Sequence, residues 1–109
     1  MKTFRWVSLF ALLAAALASL SVAATNRAAK IVPNHKHGRA LFRANCGVCH
    51  TLKAGGTHGV TGPNLDKYRP PSLAYIKYQV SHGGGVMPAF TRFSPQDLAD
   101  VAAFVWSRK

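Results

Sequence analysis

After residue 36 the chain alternates between apolar positions with a helical period and stretches that cannot sustain one. Gly38, Leu41, Phe42 and Asn45 fall at i, i+3, i+4 and i+7, one face of a short helix that runs into Cys46–His50. Ser72 can cap a second helix, with Leu73, Ile76 and Val80 on its apolar face and Tyr75 and Tyr78 beside them. Gly83, Gly84 and Gly85 end it. A third helix has the clearest start, because Ser94 is a capping residue, Pro95 takes the first helical position and Asp97 stands three residues after the cap. Leu98, Val101, Ala102 and Val105 form its apolar stripe, Phe104 lies beside it, and Arg108 and Lys109 suit the negative end of the helix dipole.

Between the first two helices, Gly55, Gly56, Gly59, Gly62, Pro63, Pro70 and Pro71 exclude long regular elements and predict an irregular loop over 53–71. A loop of that length in a small domain is usually functional. No run shows strand alternation and there is no internal repeat, so the fold class expected is all-α. Before the first helix, residues 25–36 are polar and basic with Pro33 and no helical period, and read as a flexible lead-in to a domain spanning 37–109.

The first 24 residues change the setting of the protein. Lys2 and Arg5 precede an apolar run from Trp6 to Leu20, and Val22, Ala23 and Ala24 give a small-residue exit. That order is expected of a cleaved signal peptide, residues 1–24, rather than of a retained anchor, and it places the domain in the periplasm or on the outer face of the cytoplasmic membrane. The chain of 109 residues has a net charge of +11 with Asp66, Asp97 and Asp100 as its acidic residues, and loss of Lys2 and Arg5 takes the charge from +11 to +9. Such a balance favours redox or other partner proteins with acidic surfaces and peripheral association with an anionic membrane. Nucleic acid is excluded as a partner class, because the basic residues are scattered and an exported chain rarely meets it. A monomer is expected.

Two cysteines, Cys46 and Cys49, carry the candidate chemistry. In an exported chain a disulfide is the ordinary reading, but it leaves the adjoining His50 unexplained. A thioredoxin-like dithiol needs a strand and helix pattern that is missing here, and a zinc site needs two more ligands, for which His58 and His82 offer no second paired motif. Cys46-Gly47-Val48-Cys49-His50 is instead the attachment pattern of a c-type haem: two thiols each bond a vinyl group, and the adjacent imidazole is placed under the iron. A second iron ligand is available in Met87, 37 positions after His50, with glycines before it and Pro88 after it. His82 is the competitor for that position. With both positions filled no site is left for a substrate, which argues for electron transfer rather than an enzyme.

On Cys46-Gly47-Val48-Cys49-His50, Gly62-Pro63-Asn64-Leu65, Met87-Pro88-Ala89-Phe90 and the segment from Leu98 to Val105, residues 37–108 resemble a small bacterial class I monohaem cytochrome c. The resemblance implies three to five short helices wrapped around one haem c, covalent through Cys46 and Cys49, with His50 and Met87 as axial ligands. It implies that the Pro63 carbonyl accepts a hydrogen bond from the far nitrogen of His50. Gly38 and Phe42 are expected to meet the C-terminal helix near Val101 and Phe104. Tyr68 and Trp106 are expected to be packing residues, and His35 and His37 are given no role. The implied function is single-electron carriage between exported or membrane redox proteins. The rivals are a haem c subunit of a larger oxidoreductase and, further off, a haem enzyme with a labile sixth ligand.

Overall fold

The computed structural model describes residues 28–108, and the expected signal peptide lies outside them. Its order is helix α1 (His35–Asn45), strand β1 (Thr51–Leu52), a 3-10 turn (Lys53–Gly55), strand β2 (Thr57–His58), helix α2 (Leu73–His82) and helix α3 (Pro95–Ser107). The three helices match the three apolar faces of the sequence. No helix among the described residues is long and apolar enough to cross a membrane.

The cap residues act as expected. Ser72 Oγ accepts the Tyr75 N–H at 3.0 Å, and Gly83, with φ +68°, closes α2. At α3 the capping box is complete: Ser94 Oγ accepts the Asp97 N–H at 3.0 Å, and Asp97 Oδ2 accepts the Ser94 N–H at 2.9 Å. The Ser94 N–H and the Ser94 hydroxyl, both beside the Asp97 carboxyl, hold it below the usual carboxylate range.

Helix α1 starts at His35, three residues before Gly38, the first position of the sequence pattern. Asn34 is its cap, with Oδ1 accepting the His37 N–H at 3.0 Å, and the Asn34 N–H is itself bound to Asp100 Oδ1 at 2.7 Å. The end of the presumed lead-in is therefore ordered by a carboxylate 66 positions away, a contact with no local signature. The loop after α1 also holds more structure than expected. Thr51 pairs with His58 and Leu52 with Thr57 in a two-stranded antiparallel ladder, turned through Gly56 at φ +69°. Strands of two residues are too short to show a period of two.

Helices α1 and α3 cross where Gly38 meets the Asp100 carbonyl, so closely that any β-carbon at 38 would overlap it. That approach brings Phe42 and Phe104 to 5.7 Å between ring centroids, both almost fully buried. Leu52 from β1, Ile76 and Val80 from α2, and Val101 from α3 complete the core. Each such side chain contributes about 1.5–3 kcal/mol by leaving water. The buried Asp100 supports the same junction, because its Oδ2 lies 2.8 Å from His37 Nδ1 and its Oδ1 accepts Gln96 Nε2 at 2.7 Å. Burial alone would raise its carboxyl pKa, but the Asn34 N–H, His37 and Gln96 outweigh that and hold it below the ordinary range. His37, unassigned from sequence, is thus a structural partner of α3.

Candidate functional site

As α1 ends, the backbone turns on itself. The N–H groups of Cys49 and His50 both reach the Cys46 carbonyl, at 3.1 and 2.9 Å. This turn places the Cys46 thiol in the core, where burial and the neighbouring Cys49 push its pKa up to about 12, while Cys49 is half-buried. Both thiols are free.

The loop after the turn then clamps His50 from three sides. Its Nδ1 lies 2.7 Å from the Pro63 carbonyl oxygen. A carbonyl can only accept, so Nδ1 carries the proton and the Nε2 lone pair is left free. Thr57 Oγ1 donates to the His50 carbonyl at 2.9 Å and accepts the Leu52 N–H at 3.1 Å. Gly62, held by its N–H on the Cys49 carbonyl at 2.8 Å, lies flat against the imidazole; a β-carbon there would fall 2.6 Å from His50 Cε1.

Met87 arrives from a segment 37 positions further along the chain than His50. Gly84 and Met87 exchange two backbone hydrogen bonds of 3.0 Å, closing a tight turn at Gly85 and Val86. Gly85 has φ +57°, and a β-carbon on Gly83 would meet the Met87 carbonyl, so these glycines permit the turn. Gln79 stands over the methionine, its Nε2 3.9 Å from Met87 Sδ and 3.1 Å from the Gly83 carbonyl.

All five residues expected at the site, Cys46, Cys49, His50, Pro63 and Met87, line one cavity of about 360 Å³. Phe42, Leu65, Ile76, Val80, Phe90 and Val101 provide much of its apolar wall. His82 does not line it: the ring is exposed, stacks on Tyr78 at 4.1 Å and uses Nδ1 on the Tyr78 carbonyl. Among the described residues no group of three His, Cys, Asp or Glu side chains could hold a metal ion by itself. Tyr68 lines the cavity while 43% exposed, and Trp106 packs against the core.

Two residues of the site escape a reading of the sequence. Gln79 sits on a helix face where glutamine is ordinarily a solvated residue, and Thr57 lies in a loop that reads as irregular. The only available signal was their closeness to Met87 and His50, which is spatial.

An apolar cavity with two free thiols, an imidazole nitrogen with an open lone pair and a thioether has the donor set that a covalently attached haem requires. The group fits.

Residues 33–105 match the family model described as "Cytochrome C oxidase, cbb3-type, subunit III". The chain is 33% identical to cytochrome c6 of Cyanidium caldarium over 77% of its own length and 80% of the relative's. Among solved structures, it resembles the c-type cytochrome SorU of Sinorhizobium meliloti, with a TM-score of 0.57 and 30% identity over 67% of this chain and 92% of that one. Cytochrome c6 of the diatom Phaeodactylum tricornutum is similar, with a TM-score of 0.55 and 33% identity over 68% of this chain and 92% of that one. The chain belongs to the small monohaem class I c-type cytochromes, electron carriers with a covalently bound haem c.

Proposed function

We propose that Cys46 and Cys49 hold the haem, that His50 Nε2 and Met87 Sδ are its axial ligands, and that the protein is a freely diffusing one-electron carrier between exported redox proteins. The observation that carries this reading is that His50, its Nδ1 already engaged by Pro63, and Met87 line the same apolar cavity from distant parts of the chain. When bound, haem c supplies a one-electron ferric/ferrous couple. The Pro63 carbonyl keeps the His50 ring in one tautomer and orientation and raises its basicity. The thioether of Met87 favours the ferrous state, as does the apolar wall, which disfavours the extra charge of the oxidised centre. Neither axial position is then open to a substrate, so the chain's task is to hold the couple rigidly and present one edge of it.

The charge of +9 expected once loss of Lys2 and Arg5 takes the total down from +11, with three carboxylates in all, suits acidic partner faces and a weak, salt-sensitive encounter, as a carrier that must leave after each transfer requires. The expected signal segment places that encounter outside the cytoplasmic membrane. A second reading, a haem subunit held in a larger oxidoreductase, is favoured by the description of the matching family model. Co-purification of the native protein in a stoichiometric complex would select it.

The test of ligation is the spectrum of the purified holoprotein. A pyridine haemochrome typical of two thioether links and a weak far-red sulfur-to-iron band are expected. Met87→Ala should abolish that band, lower the reduction potential and open the iron to peroxide; an unchanged potential would overturn Met87 as a ligand.

A further inference from the structure

Three exposed tyrosines and an exposed histidine form a strip that starts at the haem cavity and runs along α2. Tyr68 and Tyr75 line the cavity, and hydrogen bonding with Tyr75 pushes the Tyr68 phenol above the usual tyrosine range. Tyr75, Tyr78 and His82 then follow at i, i+3 and i+7 on one helical face, with the last two stacked at 4.1 Å. Tyr68, Tyr75 and Tyr78 are 43%, 40% and 60% exposed, although each carries a large apolar ring. Tyr78 and His82 do not line that cavity and are exposed, so burial of the cofactor there leaves that end of the strip open.

Among the described residues, no ion pair engages the basic residues that neighbour the strip in sequence. Lys67 and Arg69 bracket Tyr68 in the chain, and Lys77 precedes Tyr78. The carboxylates have other hydrogen-bond partners: Asp66, exposed next to Lys67, accepts the Lys53 N–H, Asp97 caps α3, and Asp100 is buried against Asn34, His37 and Gln96. Among the described residues both ion pairs belong to His37, so none neutralises Lys67, Arg69 or Lys77. Val48 and Val86 also line the cavity and form a second exposed lip, uncharged.

We propose that the Tyr68–Tyr75–Tyr78–His82 strip, with Lys67 and Arg69, is the docking surface for the acidic face of a redox partner protein. Tyrosine and arginine are the residue types that anchor protein interfaces, since a tyrosine buries a large rigid ring and keeps a hydroxyl for a polar partner. The basic residues steer the encounter, and the rings provide the short-range contact beside the site where the electron leaves. This inference rests on the proposed exchange with acidic partners and assigns it to one face.

The experiment uses the holoprotein and, as acidic probe, a flavodoxin in its hydroquinone form. One electron leaves the flavin, which becomes the semiquinone, and reduces ferric haem to ferrous. Stopped-flow rates are measured across ionic strength for the wild type, Tyr78→Ser, the double variant Lys67→Gln/Arg69→Gln, and Val86→Ser, with a neutral small quinol as a reductant that needs no docking surface. Tyr78→Ser should slow the flavodoxin reaction by about tenfold, a typical cost of losing an anchoring ring. The double variant should slow it and flatten its salt dependence, and both should keep the wild-type rate with quinol. If both retain the wild-type flavodoxin rate while Val86→Ser loses it, the docking surface is the valine lip and the inference is overturned. A wild-type flavodoxin rate independent of salt would instead remove the acidic-partner reading itself.

Discussion

The His50 imidazole is held between the Pro63 carbonyl, 2.7 Å from its Nδ1, and the backbone of Gly62, which lies against its face. Both restraints come from adjacent residues of one loop, so the ring's tautomer and its plane are set together. On the proposed ligation, Gly62→Ala turns the ring, because its β-carbon would fall 2.6 Å from Cε1. The expected outcome is an altered spread of the haem-methyl proton resonances and a shifted reduction potential with covalent haem retained. Resonances and potential identical to the wild type would remove Gly62 as a determinant of ring orientation.

Gln79 Nε2 lies 3.9 Å from Met87 Sδ, a contact that draws electron density from the sulfur. Gln79→Leu keeps the bulk and removes the donor. A weak bond of at most ~1 kcal/mol corresponds to roughly 40 mV for a one-electron couple. The potential of Gln79→Leu should therefore fall by tens of millivolts, measured by redox titration; a rise would mean that the amide does not act on the sulfur.

Gly38 is where the two terminal helices touch. Alanine is favoured over glycine in a helix by about 1 kcal/mol. Here its β-carbon would overlap the Asp100 carbonyl and stand 2.9 Å from Phe104 Cβ. Overpacking against backbone costs about 1–3 kcal/mol, and this contact belongs at the upper end. Gly38→Ala should be destabilised in denaturant unfolding of the holoprotein, and a stabilised variant would show that the helices can separate without penalty.

Asp100 makes the stability of the junction depend on pH. Folding lowers its pKa, so its contribution is fully present above the unfolded value of about 3.9 and is lost as pH falls through the folded value. Asp100→Asn has no charge to lose. The difference in unfolding free energy between wild type and Asp100→Asn should be largest near neutrality and should shrink as pH drops below ~4. A difference that stays constant down to pH 3 would show that the carboxylate charge is not what the site uses.

How much of this was legible in the sequence follows the range of each interaction. The three helices were, since Ser72 and Ser94 cap partners three residues away and each apolar face repeats within two turns. The start of α1 was not, because Asn34 gains its place from Asp100, 66 positions away. The ladder of β1 and β2 is held in part by Thr57 through the His50 carbonyl and the Leu52 N–H, and two-residue strands leave no periodic trace.

The chain by itself determined the attachment pattern of Cys46, Cys49 and His50, the helix boundaries set by caps and glycines, and the excess of positive charge, because each depends on residue identity or on neighbours a few positions away. The tertiary structure alone decided that Met87 lines the cavity while His82 turns outward onto Tyr78. It alone placed Gln79 over the sulfur, buried Asp100 under the first helix and left a row of tyrosines open beside the cavity. These outcomes depend on how separate segments pack against one another, and a choice between two side chains five residues apart is made by the direction each takes from the backbone once α2 is fixed against the core.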